Sequence, residues 1–173
     1  MPGATDWPQT QPLTSERLTL EPLRPAHADE MAAVLDDQGL HAYTGGRPAT
    51  LDELRAAYER RAAGRSPDGG ARWCNWVIRR RDSKEAAGIV QATITADGGG
   101  AVADVAWVVG AAHQRRGYAR EAAAAVVAWL RDHGVDTVVA LVHPDNAASA
   151  AVAGALGLSP TATIVDGEVR WVG

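Results

Sequence analysis

Val102-Ala103-Asp104-Val105-Ala106-Trp107-Val108-Val109 is followed directly by Gly110-Ala111-Ala112-His113-Gln114-Arg115-Arg116-Gly117-Tyr118-Ala119, and then by an alanine-rich run to Arg131. The first segment reads as a strand. The last, with Val126, Val127, Trp129 and Leu130 on one side and Gly134 as a stop, reads as an amphipathic helix. A strand feeding a helix through a short loop points several unpaired backbone N–H groups at one spot, and the helix dipole adds positive charge there. Such a junction is suited to a phosphate or diphosphate. Gly117 lets the backbone approach an anion closely, Ala119 keeps the helix entrance narrow, and Arg115, Arg116 and Arg120 add charge. Other anion motifs do not fit. A Walker A loop needs a Lys-Ser/Thr pair that is absent, and a dinucleotide fingerprint needs three spaced glycines where only Gly117 stands.

Working outward, Trp73 to Arg80, Ala86 to Thr95 and Val102 to Val109 are strands joined by Arg81–Glu85 and by Asp97-Gly98-Gly99-Gly100, which implies an antiparallel meander. Arg17 to Leu23 alternates as a first strand. His27 to Leu35 has helical spacing. Thr50-Leu51-Asp52-Glu53 is a capping box that opens a helix to about Ala63. After the alanine-rich helix come a β-branched strand, Thr137 to Val142, a short helix from Asn146 to Leu156, and a hairpin over 161–165 and 168–172. The order β-α-α-β-β-β-α-β-α-β-β predicts an α/β (α+β mixed) domain with a mixed sheet and helices on its faces. The polar, proline-bearing start reads as a poorly ordered arm. The boundary is drawn as a flexible arm over 1–12 and one domain over 13–173.

The 173 residues suffice for one domain with its own core, and 46% hydrophobic and 22% charged residues are ordinary for a globular protein. A net charge of −4 argues against a nucleic-acid footprint. No apolar run approaches a membrane span, and no signal peptide opens the chain. Cys74 is the only cysteine. A cytoplasmic protein without disulfides is expected, and Cys74, between Trp73 and Trp76, reads as a buried inert thiol. His113 and His143 have no second ligand at metal spacing, so no metal is expected.

Gln114-Arg115-Arg116-Gly117-Tyr118-Ala119 has the pattern Gln-x-x-Gly-x-Ala. In this form it resembles the acyl-CoA diphosphate loop of the GCN5-related N-acetyltransferase (GNAT) superfamily. Ala103–Val109 resembles that family's splayed strand. Asn146-Ala147-Ala148-Ser149 and Leu156-Gly157-Leu158 resemble its Asn-x-x-Ser helix and Leu-Gly-aromatic turn. Leu13 to Leu20 is similar to the opening of the branch that includes the RimJ/RimL ribosomal-protein N-terminal acetyltransferases. The resemblance covers residues 13 to about 172 and is weakest over 36–72, where the acceptor usually binds.

The resemblance implies the GNAT fold, with splayed central parallel strands, and transfer of an acetyl group from acetyl-CoA to a primary amine, either a small molecule or a protein N-terminus. It implies that pantetheine lies between strands at Val105 to Val142, with Trp107, Val108 and Val109 at the thioester end. Gln114, Arg115, Arg116, Gly117, Tyr118, Ala119, Arg120 and Asn146 would complete the co-substrate site, with Asn146 also a helix N-cap. Asp104 stands where the branch often has glutamate and is the candidate proton acceptor. The tyrosine that many members use as acid is replaced by Ala153, which leaves Ser149 as candidate donor to the leaving thiolate. The protein is expected as a monomer or homodimer. His41, Tyr43 and Glu53 fall in the presumed acceptor region and also read as ordinary surface or packing residues. The rival reading is a non-catalytic acyl-CoA-binding module.

Overall fold

The computed structural model describes residues 7–173. Its strands are β1 (Leu13–Thr14), β2 (Leu18–Pro22), β3 (Ala71–Arg80), β4 (Ala86–Asp97), β5 (Gly100–Val109), β6 (Thr137–Val142), β7 (Ser159–Val165) and β8 (Glu168–Val172). Its helices are α1 (Ala28–Val34), α2 (Leu51–Ala62), α3 (Tyr118–Asp132) and α4 (Ala147–Ala155). The described strands make one eight-stranded sheet in the order β1-β2-β3-β4-β5-β6-β8-β7. Every neighbouring pair is antiparallel except β5 with β6. This is the mixed α/β architecture of the sequence reading, with the two-residue β1 added at the edge.

The alternation of each strand builds two cores on opposite faces of the sheet. One joins Leu18, Leu20, Trp76, Val90, Ala103 and Val105 to the buried side of α3 and the end of α4. The chain has no phenylalanine. Tryptophans supply the bulk instead, with Trp129 of α3 meeting Trp76 edge-on at 5.3 Å between ring centres. The other core packs Met31, Leu54 and Tyr58 of α1 and α2 over Val77 and Ile89. Thr50 caps α2 as expected, its Oγ1 accepting from the Glu53 amide at 3.2 Å. Glu53's own carboxylate is held by Arg47 at 2.7 Å.

Residues 1–6 of the expected arm lie outside the described residues. Beyond them the chain is docked on the sheet. Trp7 is buried in the larger core, and the Trp76 indole N–H donates to the Gln11 carbonyl at 2.8 Å. Cys74 is fully buried, as read, and burial pushes its thiol pKa up. Among the described residues no helix is long and apolar enough to cross a membrane.

One close approach fixes the path of β5. A Cβ on Gly88 of β4 would stand 2.1 Å from the Val108 carbonyl oxygen. Only glycine therefore lets β4 lie this tightly against the far end of β5.

Candidate active site

The parallel pair is short. β5 and β6 are in register only at Val102–Thr137, Ala103–Val138 and Asp104–Val139. Beyond that point they part. β5 stays paired to β4 out to Val109 opposite Gly88, while β6 turns to β8, with Val142 opposite Val169. Residues 105–109 and 140–142 thus each have a sheet neighbour on one side only. Strand edges carry unpaired N–H and C=O groups. The result is a wedge with Asp104 at its apex and Val109 and Val142 at its mouth.

The loop and α3 lie at that mouth. Gly117 is left-handed, φ +79°, as is Arg115 at +63°. Left-handed residues spaced along a loop curl successive N–H groups into the nest that holds anions. Holding a non-glycine residue this way costs of order 1–3 kcal/mol, so Arg115 is wound against its own preference. The first backbone bond of α3 runs from the Glu121 amide to the Gly117 carbonyl at 3.0 Å. Among the described residues no backbone partner is recorded for the amides of residues 115–120. The helix entrance is therefore open at the place where the sequence sets the anion.

The expected residues fall into three groups. Arg115, Arg116, Gly117 and Arg120 are exposed around the helix entrance, and Ala119 is half-buried there. Gln114 acts on the loop itself, since its side-chain amide donates to the Val109 carbonyl at 3.0 Å and ties loop to wedge. Tyr118 points its ring inward. It is buried, with the Arg17 guanidinium 4.8 Å and that of Arg80 5.9 Å from its centre. Only its backbone is placed to meet a ligand. Trp107 packs against the larger core, Val109 is buried at the mouth and Val108 is 42% exposed.

Asn146 caps α4, its Oδ1 accepting from the Ser149 amide at 3.1 Å. That is the N-cap the sequence predicts. Ser149 is half-buried on the first turn of α4, beside the end of β6. No hydrogen bond of its hydroxyl is recorded among the described residues.

Asp104 faces the other way. Val138 and Ala103 belong to the core under α3, so by alternation Asp104 and Val139 project from the opposite face, the one that carries α1 and α2. Water reaches the carboxylate, yet protein atoms crowd it. That crowding raises its pKa above the ordinary value, Glu168 raises it further, and Arg170 acts against both. Ser149 and Asp104 thus approach the wedge from opposite faces.

A further group was not legible from local sequence. Glu121, one turn into α3, receives the Ser15 hydroxyl at 2.5 Å, the Arg17 amide at 2.9 Å and the Arg17 guanidinium at 2.7 Å. Arg17 also donates to the Arg116 carbonyl at 2.8 Å. Burial pushes the Glu121 carboxyl up, but these donors outweigh it and hold its pKa below the usual range. Ser15-Glu16-Arg17 therefore clamps the loop and the start of α3 in place.

Two other concavities, of about 500 and 610 Å³, lie beside the end of α2 and the loop 63–70. Neither touches the wedge. The wedge matters more for chemistry because its backbone is left unpaired, and a long thin ligand needs an open slot more than a deep hole.

A family model described as an acetyltransferase (GNAT) domain matches residues 17–159. Among solved structures, the chain is similar to a Bordetella pertussis protein assigned to the GNAT acetyltransferases. The two are 26% identical, over 94% of this chain and 97% of that one, with a TM-score of 0.71. The fold is also that of spermidine N-acetyltransferase from Vibrio cholerae in complex with CoA and spermine, at 16% identity, 91% and 94% coverage and a TM-score of 0.71. RimL, a ribosomal L7/L12 α-N-protein acetyltransferase in complex with CoA, gives 16%, 94% and 94%, and 0.69. Among curated proteins none matches the chain.

Proposed function

This chain belongs to the GNAT acetyltransferase family, and on that premise we propose that it transfers the acetyl group of acetyl-CoA to a primary amine, by direct attack within a ternary complex. The observation that carries the reading is the parting of β5 from β6 after Asp104 and Val139.

The residues present fit the co-substrate. The amides of 115–120 and the guanidinium groups of Arg115, Arg116 and Arg120 would take its diphosphate. The edges at 105–109 and 140–142 would bond the amides of its pantetheine arm, as one strand bonds another. Acetyl-CoA supplies the chemistry, an acetyl group activated as a thioester.

The chain's own groups do the rest. Unpaired β5 amides beyond Asp104 stabilise the carbonyl oxygen as negative charge grows on it, in a preformed and partly dry slot. Asp104, on the acceptor face, takes a proton from the attacking amine, directly or through one water. Its shorter reach relative to glutamate favours the water. A C–N bond forms as the C–S bond breaks. The Ser149 hydroxyl donates to the departing thiolate from the α4 side, and the amine's proton goes to Asp104 and on to solvent, so no covalent enzyme intermediate is needed. Either a small amine or a protein N-terminus serves as acceptor in this scheme.

Free-thiol release from acetyl-CoA, followed over a panel of amines and N-terminal peptides, tests the proposal. Release that requires both substrates is expected. In Ser149→Ala, kcat should fall about tenfold, the worth of one hydrogen bond to a charged group, with acetyl-CoA affinity within about twofold of wild type. Unchanged kcat removes Ser149 from the chemistry. Tight acetyl-CoA binding with no thiol release from any acceptor favours the non-catalytic binding module, the reading that Ala153 in place of a tyrosine acid supports.

A further inference from the structure

The sheet register gathers three charged side chains on the acceptor face. Asp104 lies opposite Val139, Val139 opposite Val172, and Leu141 opposite Arg170. Facing residues of paired strands share a side, and so do residues two apart. Asp104, Arg170 and Glu168 therefore all project from the face that α1 and α2 border. β6 lies between β5 and β8, so at about 4.8 Å per strand the two backbones stand roughly 10 Å apart, a gap that the long Arg170 side chain narrows from the face it shares with the Asp104 carboxylate. Their electrostatic influence on one another is felt at Asp104, where Arg170 favours the ionised form and Glu168 opposes it. Yet among the described residues the side chains of Asp104, Glu168 and Arg170 themselves make no ion pair or hydrogen bond that closes the cluster; Arg170 takes part only through its backbone carbonyl, which accepts from the Thr161 hydroxyl at 2.7 Å. Several other arginines do close on a carboxylate. Arg17, Arg47, Arg55, Arg79 and Arg80 each hold a carboxylate within 4.0 Å. A half-buried guanidinium facing a carboxylate without closing on it leaves room for a ligand with both charges.

A second observation limits the ligand's size. The Val34 carbonyl and side chain pack on Gly110, at the mouth end of β5. From there the segment 35–50 runs to the other wall, where the Tyr43 ring lies 5.2 Å from that of His143, the residue after β6. His143 is fixed in turn, its Nδ1 accepting from the Asp145 amide at 3.1 Å. The segment thus straps the mouth on the acceptor face. A groove strapped at one end suits a compact acceptor better than an extended peptide.

We infer that the acceptor is a free α-amino acid, whose amine is presented to Asp104 and whose carboxylate is held by the Arg170 guanidinium. The inference rests on the acetyltransferase reading above and names the substrate class of that same site. A carboxylate is the natural partner of a planar guanidinium, which grips it through two parallel bonds. Glu168 holds the ammonium form on arrival; its first proton leaves to solvent before attack, and Asp104 takes the second as the C–N bond forms. The exposed Val108 and half-buried Leu141 offer apolar surface to the acceptor's side chain. A protein N-terminus has the amine but lacks the adjacent carboxylate, and a polyamine leaves Arg170 facing a positive charge.

The test is thiol release with matched acceptors: leucine, methionine and phenylalanine as free acids, their carboxamides, the amines lacking the carboxyl group, and tripeptides with the same first residue. Wild type should favour the free acids over the amides and amines by at least about tenfold in kcat/KM, the usual worth of a charge-assisted pair. Arg170→Ala should cut that preference to within about threefold by raising KM for the free acids, and Arg170→Lys should restore part of it, as a point charge without the fork. Calorimetry with acetyl-CoA reports whether each variant is folded. Equal or better turnover of amides, amines or peptides, or a preference that survives Arg170→Ala, overturns this inference and leaves the transferase reading standing. No thiol release from any acceptor by a protein that binds acetyl-CoA overturns both.

Discussion

Gly117→Glu should lose acetyl-CoA binding almost entirely, with the dissociation constant rising by at least about a hundredfold, or roughly 3 kcal/mol. Three effects add. The residue is left-handed at φ +79°, a conformation that costs a side-chain-bearing residue roughly 1–2 kcal/mol. Its Cβ would stand 3.3 Å from the Arg17 Nη2 atom, pressing on the clamp that holds the loop. The new carboxylate would then occupy the place where backbone amides and the helix dipole await a diphosphate, and like charges at such a site cost several kcal/mol. Gly117→Ala separates the causes, since it keeps the strain and adds no charge. It should weaken binding by about tenfold or less. Calorimetric titration reads both variants. Wild-type affinity in Gly117→Glu would show that the diphosphate is held somewhere other than the start of α3.

Asp104→Asn should lower kcat by about a hundredfold with little change in acetyl-CoA affinity, because removing a general base typically costs 10²–10⁴ in rate. The asparagine keeps the shape and cannot take the proton. Wild-type activity should fall as pH drops through the Asp104 pKa, which crowding holds above its ordinary value, since the base must be ionised to act. The stability change has the opposite sign. A carboxyl whose folded-state pKa is raised destabilises the fold above that pKa, where its charge is forced into a crowded site. Asp104→Asn should therefore melt at the same temperature as wild type or higher at neutral pH. A variant that is slow only because it is less stable would contradict this assignment, as would one with full kcat.

The loop over 110–117 and the helix that follows it were legible because their signals are local. Gly117 marks a left-handed turn, the alanine-rich run marks α3, and Asn146 and Thr50 mark caps by residue type. The splay was legible only through the family resemblance. Nothing in Val105–Val109 or Ala140–Val142 taken alone says that a strand will desert its neighbour, because the cause lies in β8, which draws β6 aside, and in Gly88, which holds β5 to β4. Tyr118 sits inside the motif, yet its ring turns inward because Arg17, about a hundred residues earlier, covers it. The clamp of Glu121 by Ser15 and Arg17 was hidden for the same reason. Arg170 lies on the last strand, where nothing in the local sequence sets it apart. Only the register of β8 against β6 carries it to the face of Asp104.

These features form a chain of dependence. The clamp sets the loop, and in the proposed reaction the loop would set the diphosphate and the wedge the depth to which the thioester reaches Asp104. The most direct measurement is a crystal structure of the protein grown with acetyl-CoA. The expected result has the diphosphate on the amides of residues 115–120 and the pantetheine arm bonded between 105–109 and 140–142, with the thioester toward Asp104. The contradicting result is β5 and β6 hydrogen-bonded to each other beyond Asp104 and Val139, with the ligand bound elsewhere or absent.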